Sequence, residues 1–150
     1  MLRDDINSAL KDAMKAKDQP RVGTLRLINA AIQSAEIDLR DGNKLPEDAL
    51  LGVLQKMIKQ RQESLDIYEK AGRGELAAKE RAEIEIISGY LPKQMSEDEA
   101  KAAIAAVVKE INAQSVKDMG KVMAALKERF AGKMDFGKAS GVVKSLLSGG

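Results

Sequence analysis

The chain has 150 residues, of which 32% are charged and 3% aromatic, and it contains no cysteine and no histidine. This composition excludes disulfide bonds, thiolate chemistry, and the usual histidine general base or metal ligand. No apolar run approaches the roughly 18 residues that a membrane-spanning helix needs, and the N-terminus has no apolar signal core, so we expect a cytoplasmic protein without a membrane partner.

The composition predicts an all-α fold, because Ala, Leu, Lys and Glu dominate while the aromatic β-formers are scarce. Apolar residues recur at three- and four-residue steps along four segments of the first 92 residues. These predicted stripes include Ile6, Leu25, Ile28, Leu54 and Ile87. We predict helices at Leu2–Lys17, from Asp18 to about Arg40, from Pro46 to near Gly72 and at Glu75–Ser88, with a turn at 41–43. Four amphipathic helices with short connections predict an antiparallel four-helix bundle.

A boundary follows at Leu91-Pro92, because proline disfavours α geometry in the residue before it. Ser96 and Glu99 then have the spacing of a capping box, which starts a new helix. We therefore predict a four-helix bundle over residues 1–92 and a small three-helix domain over residues 93–150. The three later helices are predicted from Ser96 to about Ala113, from near Asp118 to Phe130, and from a cap at Asp135 onwards.

Charge is divided unevenly between these two parts. Residues 1–92 carry a net charge of −1 and residues 93–150 a net charge of +3. An excess of this size is a mild bias towards anionic partners and is not by itself a nucleic-acid signature.

Two glycine-rich stretches superficially resemble nucleotide-binding loops. Residues 72–77 match G-x-G-x-x-A, but a helix precedes them where a dinucleotide site needs a strand. Residues 132–139 are close to a P-loop, but Ala139 replaces the Ser or Thr that binds Mg²⁺. The second turn, flanked by Lys133 and Lys138 at a helix start, could instead hold an isolated phosphate.

The sequence offers no catalytic constellation, because serines without histidine lack an ordinary general base. The carboxylates Glu80, Glu83 and Glu85 are expected on solvated helix faces with i,i+4 ion pairs. Arg61 interrupts the apolar stripe of the third helix, where it either pairs with a carboxylate at the core's rim or contacts a ligand. We predict no catalytic residue, no cofactor and no metal site.

Several segments in order resemble the YqeY family. They are Thr24-Leu25-Arg26-Leu27-Ile28 with Ala30-Ala31-Ile32, Lys56 to Ser64, Tyr68 to Ala77, Glu83 to Gln94, Asp118-Met119-Gly120-Lys121-Val122-Met123, and Asp135-Phe136-Gly137-Lys138-Ala139-Ser140. The resemblance covers nearly the whole chain and implies the same two-part helical architecture.

The resemblance also carries functional expectations. The small domain is similar to the tail of the B subunit of glutamine-dependent aminoacyl-tRNA amidotransferase, which helps to engage tRNA while other domains perform the chemistry. It implies tRNA as a partner, an aminoacyl-tRNA synthetase or amidotransferase component as a second one, and a link to carbon–nitrogen ligation with glutamine as amido donor.

Two functions from different classes are left open. The first is an RNA-binding accessory module whose cationic residues are Lys117, Lys121, Lys127, Arg129, Lys133, Lys138 and Lys144. The second is a helical protein-interaction module without RNA binding, which would dock through Lys59, Gln60, Arg61 and Gln62 on the third helix.

Overall fold

The computed structural model describes residues 1–39, 42 and 44–149, and these form seven α-helices with no β-strand among them. The helices are α1 (Leu2–Lys15), α2 (Gln19–Leu39), α3 (Glu47–Lys70), α4 (Gly74–Ser88), α5 (Glu97–Ile111), α6 (Met119–Phe130) and α7 (Phe136–Ser148), with a 3₁₀ turn at Val116–Asp118. The predicted all-α class is confirmed. Of the turn predicted at 41–43, only Gly42 lies within the described residues.

The chain divides into two compact units, Met1–Pro92 (unit 1) and Lys93–Gly150 (unit 2). Each unit has a hydrophobic cluster of its own, and the two clusters share no residue. The two units are therefore described separately.

Unit 1 is built around α2 and α3. The most extensive helix contact joins α3 to α4, and α2 contacts α1, α3 and α4. The largest fully buried side chains of this unit are Ile6, Leu25, Ile28, Leu54 and Ile87. These residues follow the predicted apolar stripes, whereas the antiparallel bundle arrangement of the four helices stays a prediction.

Polar contacts join the helix ends of unit 1. The Glu36 carboxylate on α2 accepts a hydrogen bond from the Leu45 backbone N–H at 2.7 Å and one from Arg3 Nη2 at 2.9 Å. These two hydrogen bonds hold the pKa of Glu36 below its usual value, and the bond from Leu45 has the larger effect. The Leu2 N–H also donates to Glu47 Oε1 at 2.8 Å, so α1, α2 and the start of α3 are linked by charged groups.

In unit 2 each of the three helices contacts the other two. Ile104, Val122, Leu126 and Val143 are its largest fully buried side chains. The predicted capping box is confirmed at the start of α5. The Glu99 N–H donates to Ser96 Oγ and the Ser96 N–H donates to Glu99 Oε1, both at 3.1 Å.

The turn between α6 and α7 is fixed by the segment that leads into α5. Gly132 is buried with φ +76°, a left-handed conformation that favours glycine. Its carbonyl accepts a hydrogen bond from Gln94 Nε2, and the Met95 N–H donates to the Lys133 carbonyl at 2.9 Å. The chain is therefore anchored to unit 2 from Gln94 onwards.

We expect trypsin under limiting conditions to cut first after Lys93. This exposed lysine lies between the end of α4 at Ser88 and the anchored Gln94, and exposed connections are the preferred sites of nicking. Mass spectrometry of the first fragments tests the predicted boundary between residues 1–92 and 93–150. A first cut within Leu50–Tyr68 of α3 would show that the division is wrong.

Candidate functional site

The seven predicted RNA-binding residues all lie in unit 2 and are all exposed. Lys117 is in the 3₁₀ turn, Lys121, Lys127 and Arg129 are on α6, Lys133 is in the turn before α7, and Lys138 and Lys144 are on α7. Residues 116–148 contain seven cationic and three acidic residues, a net charge of +4. The positive excess of unit 2 is thus concentrated in α6, α7 and the turns next to them.

Arg129 differs from the six lysines because it already has a partner. Its Nη1 and Nη2 lie 2.7 and 2.8 Å from Oε2 and Oε1 of Glu110 on α5. This bidentate pair lowers the pKa of Glu110 and raises the pKa of Arg129. A phosphate contacting Arg129 must therefore compete with a carboxylate. Within the described part of the chain, none of the six lysines forms an ion pair with a carboxylate oxygen within 4.0 Å, although Lys121 is close enough to Asp118 to help lower the pKa of that carboxyl.

Two of the acidic side chains near the lysines bind backbone N–H groups. Asp118 accepts from the N–H groups of Gln114 at 2.9 Å and Ser115 at 3.4 Å, and these bonds are the main reason that its pKa is lowered. Asp135 Oδ1 accepts from the N–H groups of Gly137 at 2.9 Å and Lys138 at 3.2 Å. The start of α7 is therefore already capped by a carboxylate, which argues against the isolated phosphate site predicted between Lys133 and Lys138.

The outward face of α7 is a feature that the sequence analysis did not identify. The exposed residues of this face are Gly137, Lys138, Gly141, Lys144, Ser145 and Ser148, whereas Ala139, Val143 and Leu147 are buried. Leu146 is also exposed but lies on the other side of the helix. No carboxylate occurs anywhere on the helix. A Cβ placed on Gly141 would meet nothing within 4 Å. The face therefore combines two lysines with small residues that leave room for a close neighbour.

A repeat of small residues in the sequence indicates this face of α7. Positions 137, 141 and 145 repeat every four residues as Gly, Gly and Ser, and they alternate with the buried positions 139, 143 and 147. A helix with this pattern has one apolar side and one side of small and cationic residues.

On α3, the predicted protein-docking residues Lys59, Gln60 and Gln62 are exposed, but Arg61 is half-buried. Arg61 Nε lies 2.8 Å from Glu83 Oε2 on α4, and Nη1 donates to the Met57 carbonyl at 3.1 Å. The carboxylate-pairing alternative for Arg61 is thus confirmed.

The solvated i,i+4 pairs predicted around Glu83 are wrong, because the ion pairs of this region join separate helices. Glu83 pairs with Arg61 on α3, and Arg81 pairs with Glu69 on α3.

A cavity of about 280 Å³ lies between α5 and α7 of unit 2. Its walls are mainly apolar side chains, among them Met95, Ile104, Met134 and Val142, and its volume is slightly below the usual range of small-molecule sites. Across residues 1–39, 42 and 44–149, no three Asp or Glu residues are placed to hold a metal ion. None of the helices in that part of the chain has the length and apolar character needed to cross a bilayer.

Comparison with known proteins identifies the family. A family model described as Yqey-like protein matches residues 3–147. The chain belongs to the YqeY-like family.

The YqeY-like chain is also similar to curated fungal proteins that share the name "Altered inheritance of mitochondria protein 41, mitochondrial". The protein from Eremothecium gossypii is 40% identical over 86 residues, which cover 57% of this chain and 46% of the relative. The protein from Vanderwaltozyma polyspora is 42% identical over 86 residues, with the same coverage. The protein from Candida glabrata is 34% identical over 96 residues, covering 62% of this chain and 53% of the relative.

The YqeY-like chain spans about half the length of the curated relatives it matches. The prediction of a cytoplasmic protein is contradicted, because these relatives are named as mitochondrial proteins. Their names mention neither RNA nor amidation.

Proposed function

We propose that unit 2 of this YqeY-like chain binds tRNA through the cationic surface of α6 and α7. In this proposal the protein is an accessory to tRNA-dependent amidation and does not catalyse a step alone. The observation that carries the proposal is the outward face of α7, where Lys138 and Lys144 stand among exposed Gly and Ser residues on a helix without a carboxylate.

The charges on this surface suit an RNA backbone. Lysines without a carboxylate partner can each neutralise a phosphate, and such contacts supply most of the sequence-independent affinity for nucleic acids. Gly141 on α7 and Gly120 on α6 are exposed, and a Cβ at either position would meet nothing within 4 Å. Small residues beside lysines allow a phosphate chain to come close to the helix.

The aromatic residues favour a folded RNA over a single strand. Proteins that bind single strands usually stack bases on exposed aromatic rings. The two aromatic residues of unit 2, Phe130 and Phe136, instead pack against its hydrophobic cluster. Contacts to phosphates and riboses of a double-helical stem need no such rings, and tRNA consists largely of such stems.

The link to amidation rests on the similarity of unit 2 to the amidotransferase tail. The chain has neither histidine nor cysteine, so a thiolate nucleophile or a histidine-activated serine for amide transfer would have to come from another protein. We therefore propose an aminoacyl-tRNA synthetase or an amidotransferase component as the second partner.

The test is a charge reversal on the lysines. Replacing Lys121, Lys133 and Lys138 together by Glu is expected to abolish binding of labelled tRNA at low salt, because three attractive contacts become repulsive. The matched control replaces the exposed Lys11, Lys56 and Lys79 of unit 1 by Glu, which changes the net charge equally. Fluorescence anisotropy measures both affinities, and circular dichroism checks that both variants fold.

Equal affinity of the two triple variants would remove the assignment of the surface. No binding by the unchanged protein at low salt would remove the RNA proposal. The protein-interaction alternative, with docking through Lys59, Gln60 and Gln62, would then be favoured. Arg61 would not be part of that docking surface, because it is paired with Glu83.

A further inference from the structure

The helix α2 has a second apolar face opposite its buried one. Gly23, Leu27, Ala30, Ser34 and Ile37 are all exposed, and Leu27 and Ile37 have exposed fractions of 44% and 67%. We call these five residues the α2 stripe. At about 100° per residue they lie within an arc of roughly 80° on the helix.

The α2 stripe has the spacing of a helix–helix seam. Its members are separated by steps of four, three, four and three residues, the pattern that faces a neighbouring helix in coiled coils. None of the five is charged. The buried face, with Val22, Leu25, Ile28 and Ile32, supplies the residues of α2 in the hydrophobic cluster of unit 1, and among the described residues none of the five stripe residues belongs to that cluster.

Gly23 points to a close neighbour outside the chain. It lies inside a regular helix, where glycine is less favourable than alanine, and a Cβ at this position would meet nothing within 4 Å. Packing within the chain therefore gives no reason for glycine at this position. A helix of another molecule resting on the stripe would give one, because glycine lets two helices approach closely. Gly52 on α3 is equally open but lies beside the exposed charged residues Asp48 and Lys56, so it is the apolar neighbours of Gly23 that single it out.

We propose that the α2 stripe binds the α2 stripe of a second copy of this chain, with the two helices antiparallel and a two-fold axis near Ala30. In this register Gly23 lies opposite Ile37 of the second copy, and Leu27 lies between its Ala30 and Ser34. Each large side chain meets a small one, so the two surfaces interdigitate. A parallel pairing would instead place Gly23 against Gly23 and Ile37 against Ile37.

The charges beside the stripe are compatible with this pairing. In an antiparallel pair related by a two-fold axis, the same edge of each helix meets. Arg26 on one edge then lies level with Ser34 and one residue from Gln33 of the second copy, and Asp38 on the other edge lies level with Val22 in the first helical turn of the second copy. No like charges are level with each other in this register. The start of α2 already has the Asp18 carboxylate, which accepts a hydrogen bond from the Arg21 N–H at 3.2 Å.

The length of the surface sets the expected strength. The α2 stripe spans about 21 Å at 1.5 Å per residue. One helix face of this length from each copy is smaller than the standard stable interface, which buries about 1,200–2,000 Å². We therefore expect a reversible dimer whose population rises with protein concentration.

Sedimentation velocity on the full chain over a concentration series tests the proposal. Gly23→Leu should weaken association by about tenfold or more, because the side chain fills the space that Ile37 of the second copy needs. Gly52→Leu on α3 is the matched control, since Gly52 is also exposed, helical and without a neighbour within 4 Å of a Cβ. The double variant Gly23→Leu with Ile37→Ala should restore association by reversing the large and small partners.

Sedimentation as a monomer at every concentration would overturn the proposal. Equal weakening by Gly23→Leu and Gly52→Leu would also overturn it, as would a double variant no better than Gly23→Leu. The register has a separate test, because the chain has no cysteine of its own. Ala30→Cys should form a disulfide-linked dimer with oxidised glutathione, whereas the exposed Ala78→Cys on α4 should not, and equal yields of the two would refute the two-fold axis at Ala30.

Discussion

Leu54→Ala is expected to lower the free energy of unfolding of unit 1 by about 2–5 kcal/mol, the usual cost of truncating a fully buried leucine. Leu54 has an exposed fraction of 0% and lies in the cluster that includes Leu25, Ile28 and Ile87. The helices around it come from three separate segments of the chain, so the cavity cannot be filled by a small local shift. Urea unfolding followed by tyrosine emission measures the change, because both tyrosines, Tyr68 and Tyr90, are in unit 1.

Lys56→Ala is the matched control for this prediction. Lys56 lies on the same helix two residues later and is exposed, so its replacement should change the free energy of unfolding by no more than about 0.5 kcal/mol. A loss below about 0.5 kcal/mol for Leu54→Ala as well would show that this face of α3 is not buried.

The affinity for tRNA is expected to fall steeply with salt. If four to six of the lysines contact phosphates, a slope of −0.7 to −0.9 per contact predicts a loss of roughly 50- to 2,000-fold between about 50 and 200 mM salt. The reason is that each phosphate neutralised by a lysine releases condensed counterions. Titration of labelled tRNA at several salt concentrations gives the slope directly.

Single neutral substitutions then locate the contacts. Lys144→Gln should make the slope shallower by about 0.7–0.9, one contact's share, whereas Lys56→Gln on α3 should leave it unchanged. A slope near zero for the unchanged protein would mean that its affinity does not come from phosphate contacts, and the assignment of α6 and α7 would fail.

The parts of the fold that depend on neighbouring residues could be read from the sequence. The capping box of Ser96 and Glu99 and the cap at Asp135 involve groups within three residues of one another. Apolar positions at helical spacing likewise marked Leu54 and Ile87 as inward-facing, and both are fully buried. Local chemistry fixes such features before any tertiary contact forms.

The ion pairs could not be read in this way. Arg61 and Glu83 are 22 residues apart, and Arg129 and Glu110 are 19 apart. Which carboxylate meets which arginine depends on how α4 lies against α3 and α5 against α6. An i,i+4 rule therefore did not identify the partner of Glu83.

The candidate site was predictable only in part. The seven cationic residues were predicted from the resemblance to the amidotransferase tail together with the positive charge of residues 93–150, and all are exposed. The sequence could not show that Arg129 is already paired, because pairing depends on the direction of its side chain, whereas the four-residue repeat of Gly and Ser on α7 is visible in the sequence. The sequence pattern also gave no indication that the relatives are named as mitochondrial proteins.

The separation of the two hydrophobic clusters affects how unfolding should be interpreted. Clusters that share no residue need not melt together, and a chain with two such clusters violates the all-or-none assumption behind a single midpoint. Tyrosine emission follows the first cluster alone, whereas far-UV circular dichroism sums over all the helices. A mismatch between the two curves, or a calorimetric enthalpy larger than the van't Hoff enthalpy, would reveal an intermediate with one cluster intact.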